Sequence, residues 1–201
     1  ARRLNFPFLD TCGMYRAVTL LALEAGIDTR DISHLTELIR LATLDPMGGP
    51  YGDRMIVDGR DITDELRAQN VALNVSKVSA VKGVRVALVE HQRRIAEQGP
   101  IVMVGRDIGT VVLPEAKCKV YLNASAEVRA RRRVCEMTNL GHDTSYNRVA
   151  NELRARDDID SHRLESPLRP AEGALIIETD CMSVDQITDA VIRRFRPEQW
   201  S

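Results

Sequence analysis

The stretch from Ile101 to Pro114 constrains this chain more than any other. Ile101-Val102-Met103 is a short apolar run preceded by Gly99-Pro100, the pattern of a buried parallel strand. The run passes through Val104 to Gly105, Arg106 and Asp107, so two opposite charges arrive together at the carboxyl end of the strand. Open α/β sheets bind ligands along that edge. One reading is a pocket for a charged ligand; the other is a strand-end ion pair between Arg106 and Asp107 themselves.

The rest of the chain alternates strand and helix signals, which sets the class as α/β with a parallel sheet. Phe6 to Asp10 reads as a short strand, and Thr11-Cys12-Gly13 then turns into MYRAVTLLALEAG, a helix stopped by Gly26. Asp10 or Thr11 is its natural N-cap. Arg16 is less ordinary, because a cation in the early turns opposes the helix dipole unless an anion lies nearby. Ser33 to Leu44 reads as an amphipathic helix. Asp45 to Asp61 is rich in Gly and Pro, and Met55-Ile56-Val57 followed by Asp58-Gly59 reads as a hairpin, hence a small inserted β subdomain. Thr63-Asp64-Glu65 is expected to cap a short helix. Two further helices carry Ser76 and Arg85, which taken alone are a small helix residue and a solvated charge.

Lys117 to Asn123 reads as a strand, and Ser125 as the cap of a helix bearing Arg129, Arg131, Arg132 and Arg133. Four arginines on one helix must meet solvent or anions. The segment after it, HDTSYNRVANELRARDDIDSHR, is polar along most of its length and suits a mobile helical flap. Arg156, Asp160 and Arg163 are spaced by four and then three, so they share a face, either as a salt-bridge ladder or as a ligand surface. Ala174 to Thr179 reads as a buried strand, and Ser183 opens the closing helix.

The 201 residues suit one domain with a smaller insertion, and a net charge of −1 gives no general attraction to nucleic acid or an anionic membrane. Cys12, Cys118, Cys135 and Cys181 are scattered without metal-ligand spacing, as expected of reduced thiols in a cytoplasmic protein with no protein-held metal. No apolar run approaches the ~18 residues of a membrane span. A monomer is expected. Any basic site must come from local arginines: Arg16 and Arg106 at strand ends, Arg85 and Arg132 on helices, Arg156 and Arg163 on the polar flap. Such a distribution fits a site that gathers phosphates, where each charge-assisted bond contributes about 1.5–3 kcal/mol. Phosphoryl transfer depends mostly on positioning and charge neutralisation, and so needs a cluster of this kind.

FLDTCGMYRAV, VDGRDITDELR, NVSKVSAVKGVRVAL, GRDIGTVVLP, ASAEVRARRR, LRARDDIDSHR and SPLRPAEGALIIET occur in this order along the whole chain. In these stretches the sequence resembles the bacterial cytidylate kinases. The resemblance implies a nucleoside monophosphate kinase fold over residues 1–201: a five-stranded parallel sheet, a CMP-binding insert at about 33–98 and a lid at about 136–170. It implies transfer of a phosphoryl group from ATP, with Mg2+, to CMP or dCMP, giving CDP or dCDP. UMP is a possible further acceptor. Thr11, Arg16, Ser76, Arg85, Arg106 and Asp107 match residues that hold CMP. Among them Arg16, Arg85 and Arg106 would face its phosphate, and Ser76, Arg106 and Asp107 would read the cytosine. Arg156 and Asp160 would meet the ribose. Arg163, with Arg106, would act near the transfer step, and Arg132 would lie over ATP.

The chain departs from the family pattern at Cys12-Gly13, where Gly-Ala is usual, at Val104, usually aspartate, and at Ile159, commonly arginine. It also contains no GxxxxGK[ST] phosphate-binding loop. In the family that loop lies upstream of the point where this sequence begins, so an N-terminally truncated kinase lacking its first strand and P-loop is expected. The alternative is a non-catalytic module that binds cytidine nucleotide or a partner.

Overall fold

A computed structural model describes residues 1–48, 54–139, 141, 143–162 and 168–195, with the chain divided into two compact units, Ala1–Ile108 and Gly109–Ser201. The expected insert lies in the first unit and the expected lid in the second.

The first unit opens with a 3-10 turn, Arg2–Leu4, closed by Asn5 in the left-handed region. β1 (Phe8–Asp10) leads without a loop into α1 (Thr11–Glu24), because the Asp10 carboxylate accepts the Cys12 amide at 2.9 Å and so satisfies one of the helix's unpaired donors. α1 buries most of its length, and Leu9, Met14 and Val18 form the centre of the core with Leu35, Ile62, Val71, Val78 and Leu88. α2 (Ile32–Leu41) is capped by Asp31, whose carboxylate accepts the His34 amide. β2 (Leu44–Gly48), β3 (Arg54–Val57) and β4 (Arg60–Asp61) form an antiparallel sheet. The β3–β4 turn places Asp58 and Gly59 at φ 49° and 82°, the pair of positive angles a type I′ hairpin turn requires. A 3-10 turn (Glu65–Arg67), α3 (Gln69–Ala80) and α4 (Lys82–Ala96) then lead to β5 (Val102–Val104), which pairs parallel with β1, Leu9 opposite Met103.

A five-residue π-helix, Ile108–Val112, follows β5. In the second unit β6 (Val120–Asn123) pairs parallel with β7 (Leu175–Glu178), in register from Val120 opposite Leu175 to Asn123 opposite Glu178. Between them run α5 (Ala126–Asn139) and α6 (Tyr146–His162), and α7 (Val184–Phe195) follows β7. α7 starts on a reciprocal capping box: the Gln186 amide donates to Ser183 Oγ at 3.2 Å, and the Ser183 amide donates to Gln186 Oε1 at 2.8 Å.

Several expectations need correction. The helix expected to reach Leu44 ends at Leu41, and Leu44 instead begins β2. Asp64 makes no side-chain cap; the neighbouring Thr63 accepts the Met55 amide and closes the hairpin instead. The strands expected to be buried are exposed in part, with Val104 44% and Ile176 53% accessible. Among the described residues the parallel strands form two pairs, not one five-stranded sheet. A parallel strand is buried only with neighbours on both edges and cover on both faces, and a pair two strands wide offers neither strand a second neighbour.

α2 approaches α4 closely at Gly83, where a β-carbon would lie 2.2 Å from Thr36 Oγ1. Gly83→Ala is therefore expected to destabilise the protein by about 1–3 kcal/mol in chemical denaturation, and adding Thr36→Ala to regain part of the loss.

Candidate active site

The first cluster of site residues gathers at the carboxyl ends of β1 and β5. Thr11, the first residue of α1, donates its hydroxyl to the Val104 carbonyl at 3.0 Å and so joins the two strand ends. Gly105 is required beside it, since a β-carbon there would fall 2.2 Å from Thr11 Oγ1 and 2.8 Å from Ile108 Cδ1. The chain then delivers Arg106, half-buried, and Asp107, buried.

Asp107 is held by a residue far away in sequence. Arg85 of α4 donates Nη2 to Asp107 Oδ2, and its Nη1 donates to the Ser79 carbonyl at 3.2 Å at the end of α3. Tyr15 of α1 lies with its ring centroid 5.6 Å from the same guanidinium, a cation–π contact. Arg85, Asp107 and Tyr15 are 5%, 5% and 8% exposed. A solvated Arg85, the reading its sequence context suggested, is thus overturned. Beside the cluster, Arg16 is half-buried and donates to the Leu66 carbonyl at 3.0 Å. Ser76 is half-buried on α3, and its carbonyl accepts the Ser79 hydroxyl one turn on. Tyr15 and the Ser79 and Leu66 carbonyls were not anticipated. Tyr15 immediately precedes Arg16, but only its helical face, turned toward α4, reveals its part.

The second unit carries its own polar cluster. Arg132 of α5 reaches the carboxyl end of β7, donating to Thr179 Oγ1 at 3.1 Å and to the Thr179 carbonyl at 2.5 Å. Thr179 in turn donates its amide and hydroxyl to the Asn123 carbonyl, both at 2.8 Å, locking the end of β6 to the end of β7. Asp180 accepts the Ser125 amide at 2.8 Å; that bond and the Ser125 hydroxyl hold its carboxyl below the usual range, with the charge of Arg132 adding a smaller pull. The neighbouring arginines are engaged within the unit as well: Arg129 with Asp157, Arg131 with Glu127 and Arg133 with Glu136. The expectation that these arginines meet solvent or anions holds for Arg129, Arg131 and Arg133, whose anions are carboxylates of the same unit, while Arg132 binds the neutral Thr179.

On α6, Arg156 is half-buried and Asp160 stands one turn further along. Arg163 lies outside the described residues. Ile159, another departure from the family pattern, is a little under half exposed, as is Val104. Gly13 is buried, and a β-carbon there would come 3.3 Å from Met55 Cε, so this departure makes room for a side chain of β3. Among the described residues no group of three or more His, Cys, Asp or Glu could hold a metal ion. Nor is any described helix long and apolar enough to cross a membrane.

Comparison with known proteins decides the lineage. The sequence model of the family described as Cytidylate kinase matches residues 1–197. The chain belongs to the cytidylate kinase family. It is 45% identical over 192 residues to the cytidylate kinase of Desulforamulus reducens, covering 96% of this chain and 86% of that protein. It is 42% identical over 187 residues to the cytidylate kinase of Carboxydothermus hydrogenoformans, covering 93% and 84%. To that of Limosilactobacillus reuteri it is 40% identical over 200 residues, covering 99% and 88%. Cytidylate kinases are nucleotide-binding transferases of pyrimidine metabolism, and the strand ends that gather Thr11, Arg85, Arg106 and Asp107 are where α/β folds bind ligands.

Breaking a buried ion pair leaves an uncompensated charge, so Arg85→Met is expected to cost about 3–5 kcal/mol in chemical denaturation. The double variant Arg85→Met/Asp107→Leu is expected to recover most of that loss.

Proposed function

We propose that this chain carries the nucleoside-monophosphate half of a reaction in which the γ-phosphoryl of MgATP passes to CMP or dCMP, giving CDP or dCDP. The observation that carries the reading is the convergence of Thr11, Arg85 and Asp107 at the ends of β1 and β5, in a chain of the cytidylate kinase family.

In this reading the Arg85–Asp107 pair gives the site a fixed, nearly neutral floor. Asp107 presents its carboxylate edge, and Ser76 its hydroxyl, to the amino and ring positions of cytosine, while Arg106 reaches both base and phosphate. Arg16 and Arg106, with the outer edge of Arg85, neutralise the phosphate dianion, whose charge otherwise repels the incoming γ-phosphoryl. The acceptor oxygen of CMP attacks the γ-phosphorus in line, the bond to the β-phosphate oxygen breaks, and ADP leaves. Arg163 supplies positive charge to the transferring group, Arg156 and Asp160 hold the ribose, and Arg132 covers ATP. Mg2+ enters with ATP as part of the substrate and needs no protein cage of its own.

The 201 residues contain no GxxxxGK[ST] loop to cradle the β/γ-phosphates, so binding of CMP and transfer from ATP are separate tests. A coupled assay on the natural full-length protein with CMP, dCMP and UMP as acceptors measures transfer; ADP formation with CMP or dCMP is expected, and no turnover with either overturns the kinase reading. Calorimetric titration with CMP measures the binding half alone, and binding without any turnover places the chain among non-catalytic nucleotide modules. Arg106→Ala is expected to weaken CMP about tenfold or more, since about 1.4 kcal/mol is a factor of ten; unchanged affinity would show a purely structural Arg106. Asp160→Ala is expected to weaken CMP through its ribose while leaving ATP affinity unchanged.

A further inference from the structure

Arg85 stands in the first turn of α4, where the positive end of the helix opposes a cation and no acidic side chain of that turn offsets it. Val81, at the N-cap, adds no side-chain bond. The side chain is nonetheless buried, so its surroundings must compensate the charge. Two of them are acceptors: the Asp107 carboxylate takes Nη2, and the Ser79 carbonyl takes Nη1 at 3.2 Å. Ser79 lies in the last turn of α3, the negative end of the preceding helix, which favours a cation.

Two bonds from two nitrogens fix one edge of the guanidinium and leave its plane able to rock about that edge. A third contact opposes the rocking. Arg85 Cζ lies over the ring of Tyr15, 5.6 Å from its centroid, and the negative face of an aromatic ring attracts a cation most strongly where water is excluded. Tyr15 is itself buried. The ring is set in turn by α1: Thr11 and Tyr15, four residues apart, share a face of that helix, and Thr11 ties it to the Val104 carbonyl at 3.0 Å. An arginine carries five N–H donors in one plane. The tilt of the plane therefore decides where the donors not given to Asp107 and Ser79 point.

We propose that Tyr15 is a positioning residue for phosphate recognition: the face of its ring sets the tilt of the Arg85 guanidinium and so aims that side chain at the phosphate of the monophosphate substrate. The proposal rests on the reading that Arg85 meets the CMP phosphate. Tyr15 touches no part of CMP in this account and acts through Arg85.

The test uses the full 201-residue chain and calorimetric titration with CMP, together with competition by cytidine, which has the same base and sugar but no phosphate. Neither measurement needs turnover. Tyr15→Phe keeps the ring face and is expected to hold CMP within about twofold of the parent chain. Pentafluorophenylalanine at the same position keeps the shape but reverses the charge distribution of the ring, and is expected to weaken CMP about threefold or more relative to Tyr15→Phe. Tyr15→Leu, which removes the ring, is expected to weaken CMP about tenfold. Cytidine affinity is expected to stay unchanged in all three. Melting curves establish that each variant is folded at the assay temperature, and the fluorinated ring carries the test should Tyr15→Leu not fold. Equal CMP affinity with the two kinds of ring, or a loss shared by cytidine, marks a ring that only fills space and overturns the proposal. If Arg85→Lys weakens CMP while the fluorinated ring does not, Arg85 is aimed without Tyr15 and the proposal fails alone. If Arg85→Lys itself keeps the affinity for CMP, the phosphate reading of Arg85 fails and takes the role of Tyr15 with it.

Discussion

The buried ion pair between Arg85 and Asp107 is the interaction on which the first unit depends. Two charges about 5% exposed are held where desolvation costs several kcal/mol per ion. The cost is offset only because the surroundings complete each group: the Ser79 carbonyl takes a second Arg85 nitrogen, and the Tyr15 ring covers the guanidinium. Those partners come from α3, α1, α4 and the segment after β5. The pair therefore holds in register the elements that bring CMP-matching residues to one strand edge. Thr11 and Gly105 complete the arrangement from the other side, a hydroxyl on a carbonyl beside a position where no β-carbon fits.

In the second unit the same side chain does different work. Arg132 and Arg129 fasten helix α5 to strand ends and loop carbonyls, while Arg131 and Arg133 pair with acids on their own helix. The last two pairs are exposed and contribute little to stability. Arg129 and Arg132 differ because each also satisfies a backbone carbonyl, which fixes the guanidinium plane and makes it a geometric part rather than a diffuse charge.

The departures from the family pattern also find physical settings. Gly13 yields space to Met55, so the loss of a methyl group at one point is met by a sulfur-bearing side chain from the inserted hairpin. Val104 and Ile159 are each a little under half exposed, so an apolar side chain in place of a charged one still stands at the surface.

Much of the fold was legible in the sequence. The Asp10 cap, the stop at Gly26, the Asp58-Gly59 turn and the opening of the last helix at Ser183 are local bargains between a side chain and the adjacent backbone, and local sequence suffices to read them. Arg106 and Asp107 were legible as opposite charges at a strand end and Arg16 as a cation early in a helix, while the match of these residues, with Thr11, Ser76 and Arg85, to a CMP site comes from ordered resemblance and belongs to the proposal. Partnership was not. That Asp107 pairs with Arg85, that Arg132 binds Thr179 and that Arg129 forks onto Asp157 depend on contacts spanning 22, 47 and 28 residues. Sequence spacing carries no information about such distances. A charged side chain reads as solvated until packing brings its counterpart within reach and removes the water, and only the tertiary structure does both.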